Sequence, residues 1–99
     1  MYADLCAEFA GRPGVVVPGG GSGFGSQALK VGRSIFAMQH ADALVVKLPA
    51  ARVRELLDAG VGTPFDGGKG KPMKEWLTVS DPAHWSSIAE EAYSFVASR

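Results

Sequence analysis

One serine among glycines, one cysteine, two histidines and a few clustered lysines are the residues of this chain with types and spacing to consider for chemistry. Ser22 sits within Gly19-Gly20-Gly21-Ser22-Gly23-Phe24-Gly25. A dinucleotide phosphate cradle needs Gly-x-Gly-x-x-Gly between a strand and a helix. Counted from Gly21 and Gly23, the third position falls on Ser26. A nucleophile elbow needs Gly-x-Ser-x-Gly, and its last position is Phe24. A nucleotide phosphate loop ends in Gly-Lys-Ser/Thr, whereas Gly68-Lys69 is followed by Gly70 and Gly70-Lys71 by Pro72. Cys6 with His40 or His84 would pair a nucleophile with a base. Cys6, however, falls on an apolar helix face, where a buried inert thiol is the usual outcome. His40 abuts a turn and His84 a helix start, and no spacing among the three resembles a zinc site. The residues thus predict no catalytic group, no cofactor and no metal ligand. Charge remains. Lys69, Lys71 and Lys74 cluster around a glycine-rich loop and Arg33 tips a hairpin, a set that would touch nucleic-acid phosphates or a partner.

The elements that must position these residues follow from periodicity. Tyr2, Leu5, Cys6 and Phe9 recur at helical spacing, and Gly11 and Pro13 end that helix. Val15-Val16-Val17-Pro18 is a brief extended piece. The glycine-rich 19–25 cannot hold regular structure without a large entropy cost and reads as a mobile loop. Residues 27–32 and 34–40 alternate as two strands around Gly32-Arg33. Phe36 and Met38 are expected on one face, Ile35 and Ala37 on the other. Ala41-Asp42 reverses the chain into 43–48, with Leu44, Val46 and Leu48 opposite Val45 and Lys47. Pro49 opens a helix striped by Val53, Leu56 and Leu57 and stopped by Gly60. Arg52, Arg54, Glu55 and Asp58 lie off that stripe and are expected in solvent. Residues 61–72 read as loop, and 75–80 as a strand alternating Trp76 and Thr78 with Leu77 and Val79. Asp81 and Pro82 cap a final helix striped by Trp85, Ile88, Ala89, Ala92 and Val96. The order α-β-β-β-α-β-α predicts a two-layer α+β sandwich, an antiparallel sheet with helices packed on one face. The other face carries Ile35, Ala37 and Val45 without a helix of its own, a surface that would suit a partner or a second copy.

Composition bounds the function. Ninety-nine residues, 46% hydrophobic and 20% charged, make one domain with one modest core, spanning 1–99. Ten basic residues balance ten acidic ones. That neutrality argues against a dedicated nucleic-acid binder and favours self-association. A single cysteine allows no internal disulfide and fits a reducing compartment. Met1-Tyr2-Ala3-Asp4-Leu5 lacks the basic lead of a signal peptide. No apolar run reaches the roughly 20 residues of a membrane helix. The expected location is the cytoplasm.

Several segments, in order along most of the chain, resemble the N-terminal domain of the TfoX/Sxy family, also found as small stand-alone bacterial proteins. They are Phe24-Gly25, Ala28-Leu29-Lys30-Val31, Ile35-Phe36-Ala37-Met38, Leu44-Val45-Val46-Lys47-Leu48-Pro49, Arg52-Val53, Pro64-Phe65, Pro72-Met73-Lys74-Glu75-Trp76 and the final helix. The resemblance implies an α+β fold, often paired as a homodimer, and carries over no catalytic residues. The family's namesakes regulate competence for DNA uptake, and in them this domain precedes a helical one. Three readings follow. The first is a non-enzymatic interaction or regulatory domain acting through a homodimer or protein partner. The second is a DNA-associated regulator gripping phosphates through Arg33, Lys69, Lys71 and Lys74. The third is a small-molecule binder with the glycine-rich loop as lid.

Overall fold

Turn chemistry and apolar alternation build the fold. The structure, a computed structural model, describes residues 2–17, 28–66, 70 and 73–99. The expectations for the 19–25 loop, Lys69 and Lys71 lie outside those residues. In chain order the elements are α1 (Tyr2–Phe9), β1 (Val15–Val16), β2 (Ala28–Val31), β3 (Ser34–His40), β4 (Ala43–Lys47), α2 (Ala50–Asp58), β5 (Thr63–Pro64), β6 (Trp76–Val79), a 3-10 turn (Pro82–His84) and α3 (Trp85–Ala97). One sheet runs β1-β2-β3-β4-β6-β5, antiparallel at every pairing. The protein is an α+β fold. Two short strands join the four long ones: β1 formed from the extended piece, and β5 from within the stretch read as loop.

The hairpin β2–β3 turns on Gly32, whose φ of 63° is the left-handed value a two-residue turn requires at its first position. The hairpin β3–β4 makes the same demand of Ala41, at φ 55°. Helix α2 starts behind Pro49 and ends in a Schellman motif. There the N–H of Gly60 donates to Leu57 and that of Val61 to Leu56. Asp81 accepts from the Ala83 N–H at 3.0 Å, so the final helix enters through a capped 3-10 turn before α3 proper.

All three helices bury their stripes on one face of the sheet. Leu29, Ala37, Leu44, Val46, Leu77 and Val79 meet Leu5 and Phe9 of α1, Val53 and Leu56 of α2, and Trp85, Ile88, Ala89, Ala92 and Val96 of α3. Phe9, Phe36 and Tyr93 form an aromatic triangle with centroids 5.5–6.0 Å apart, tying α1, β3 and α3 together. The Trp85 indole N–H, buried, donates to the Val79 carbonyl at 2.9 Å.

One feature of β3 departs from simple alternation. Leu29 pairs with Ala37 but Lys30 with Ile35, so Phe36 is an extra residue on β3. This is a β-bulge, which puts two neighbouring residues on one side. Phe36 and Ala37 both enter the core, and Met38 moves to the other face with Ile35. The expectation for Ala37 is corrected accordingly: it is fully buried under the helices and is no part of the second face.

Candidate functional site

Register sorts the second face into rows. Val16 pairs with Lys30, and Lys30 with Ile35. Ala28, Met38, Val45, Thr78 and Thr63 form the neighbouring row, and Lys47 with Trp76 carries the first row on to β4 and β6. Val45 does lie on this face, but it is fully buried. Phe65, the residue after β5, lies on this face too. The Phe65 ring is 5.8 Å from the His40 ring and 6.4 Å from the Trp76 ring, so it spans from β3 to β6 across β4. Val45 is therefore corrected from surface to interior. Of the expected interface only Ile35 stays half-exposed. Next to it, Val16 is 53% exposed and Val17 39%, the exposed large apolar residues among those described. The row Val16–Lys30–Ile35 thus borders the outer strand β1. At the other sheet edge, Pro64 of β5 offers no N–H to an added strand.

The residues considered for chemistry are separated. Cys6 packs against the core on the helix side, beside Tyr2, whereas His40 lies on the opposite face against Phe65. Burial pushes the Cys6 thiol up, a change that disfavours the reactive thiolate. Burial likewise raises the Tyr2 phenol, reinforced by the neighbouring thiol. His84 closes the 3-10 turn at the start of α3. Among the described residues no three His, Cys, Asp or Glu side chains are grouped to hold a metal ion. Arg33, in the β2–β3 turn, and Lys74, just before β6, lie at the same end of the sheet, and both are exposed.

At the β6–β5 side is a cleft of about 530 Å³ between α2 and the sheet edge. Its walls include Leu57, Pro64, Met73 and Trp76, and its charged lining residues are Arg54, Asp58 and Lys74. Neither Arg54 nor Lys74 has a carboxylate within ion-pair reach among the described residues. Lys47 reaches over the Trp76 ring at 5.0 Å and meets Glu75 at 3.5 Å.

Sequence reasoning missed three positions. Arg52, expected in solvent, makes a two-pronged bond to Glu91 at 2.8 and 3.0 Å, clamping α2 to α3. Arg12 makes a similar pair with Glu90 at 2.6 and 2.8 Å and lies over the Tyr93 ring at 4.6 Å. These pairs raise both guanidinium groups, and the Arg12 hydrogen bonds hold the Glu90 carboxyl below its ordinary range. Tyr93, four residues after Ala89 and so on the buried stripe, donates its hydroxyl to the Pro13 carbonyl at 2.8 Å. Its spacing was the available signal; the ion pairs had none.

No protein-family model, curated protein or solved structure matches this chain.

Proposed function

We propose that this chain is a small, non-enzymatic interaction domain of the TfoX N-terminal type, cytoplasmic in bacteria, that regulates through contacts and works as a homodimer. The observation that supports this reading is the Val16–Lys30–Ile35 row beside the outer strand β1. An outer strand presents unpaired backbone groups to another chain. Two copies meeting there about a two-fold axis would set row against row. Zero net charge opposes such pairing little. Sedimentation equilibrium over a wide concentration range tests the reading. The wild type is expected to pass from monomer to dimer, and Val16→Lys to remain monomeric at the same concentrations with an unchanged melting temperature. A monomer mass at every wild-type concentration would sink it.

A second reading, a DNA-associated regulator, draws support from Arg33 and Lys74 at one end of the sheet. Lys69 and Lys71 would complete that set. Anisotropy of a labelled duplex tests it at low and physiological salt, since phosphate-driven affinity falls steeply with salt. Binding that persists at physiological salt and weakens in Lys74→Gln would favour this reading over the first.

A further inference from the structure

We infer that the cleft between α2 and the β6–β5 edge binds a small organic carboxylate with a flat apolar body. Its volume, about 530 Å³, falls within the roughly 300–1,000 Å³ of small-molecule sites and is too small to engulf a polymer. Its walls offer apolar surface from Leu57, Pro64, Met73 and Trp76, enough for a small apolar body to pack against. Its polar lining is cationic on balance. Among the described residues Arg54 and Lys74 stand without a carboxylate in ion-pair reach, and Asp58 is the acidic side chain of the lining. The guanidinium of Arg54 presents the planar fork that matches a carboxylate with two parallel bonds, and Lys74 adds a mobile point charge. Ala50 and Ala51, the first turn of α2, form a further wall, and no side chain caps that helix end. Its partial positive charge has the same sign as the two cations. This arrangement rewards an anion attached to an apolar plate and rewards neither part alone.

The cleft lies at the sheet edge opposite β1, so its occupancy and the homodimer are separable. The two tryptophans give a built-in readout. Trp76 lines the cleft, whereas Trp85 is buried and bonded to Val79. The probe is naphthoate, followed by the indole N–H resonances in NMR, with neutral naphthylmethanol and inorganic phosphate as comparisons. Naphthoate is expected to shift the Trp76 indole saturably and leave Trp85 in place, in wild type and in Val16→Lys alike. Arg54→Gln and Lys74→Gln should each weaken binding about threefold, and the double variant about tenfold, as expected for solvent-facing charge pairs. Naphthylmethanol and phosphate should each bind about tenfold more weakly than naphthoate. The proposal is overturned if naphthoate fails to saturate, if naphthylmethanol or phosphate matches it, if the double variant binds as well as wild type, or if an acidic peptide displaces it at lower concentration.

Discussion

Phe36 meets the two helices that flank its strand, since its ring touches both Phe9 of α1 and Tyr93 of α3. It is fully buried. Truncation to alanine removes the apex of that triangle, and the two surrounding rings belong to different helices, so the site collapses poorly. Phe36→Ala should cost about 3–5 kcal/mol in urea unfolding, a large part of the ~5–15 kcal/mol available to a domain of this size. A loss under about 1 kcal/mol would show that the triangle does not hold these elements together. At this scale the sequence was partly legible. Alternation put Leu44 and Val46 on the core side and separated Leu77 and Val79 from Trp76 and Thr78, because one strand period decides each. It failed at Ala37, because a bulge costs one residue of register and leaves no compositional mark in Ile35-Phe36-Ala37-Met38.

Turns carry the next scale. The β3–β4 reversal places Ala41 at φ 55°, where a side chain on an L-residue is strained and glycine is not. Ala41→Gly is therefore expected to stabilise the protein by about 0.5–1 kcal/mol, measured as a rise in the denaturation midpoint with an unchanged slope. The same change at a turn without positive φ would destabilise, so a fall in midpoint would contradict the assigned geometry. Gly32, Gly60 and Asp81-Pro82 announced their elements because each meets a local backbone demand that few residues satisfy. Strand β5 announced nothing. It is two residues long, ends in proline and owes its place to pairing with β6. The approach is close: a Cβ on Gly62 would lie 2.7 Å from the Thr78 carbonyl oxygen. Such non-local contact is invisible to any window along the chain.

Across the whole molecule, α3 is the clamp. Adjacent residues Glu90 and Glu91 reach in different directions, to Arg12 ahead of β1 and to Arg52 on α2. The partners are 78 and 39 residues away, which is why charge composition foretold solvation and not pairing. The Arg12 pair has a pH signature. Glu90 titrates below its ordinary value of 4.5 in the fold. Its contribution is therefore complete above that value and disappears as pH falls through the lower, folded-state value. Glu90→Gln should lower the melting temperature at neutral pH and flatten the acid limb of its pH profile, so that wild type and variant converge in acid. Parallel profiles would assign the acid sensitivity elsewhere. The candidate sites were less legible than the fold for the same physical reason as the ion pairs. Row Val16–Lys30–Ile35 joins three strands, and the cleft joins α2 to residues after β5, so each exists only once the chain has closed on itself.

The bulge in β3 also gives the strand a spare link. Phe36 and Ala37 share one side, so removing Ala37 would leave every other side chain of β3 facing as it does now. Removing any residue between Met38 and His40 would instead turn part of the strand inside out, sending Gln39 or Met38 to the wrong side. Length variation among descendants of this sequence is thus expected to concentrate at one position of its longest strand, and to spare the positions on either side.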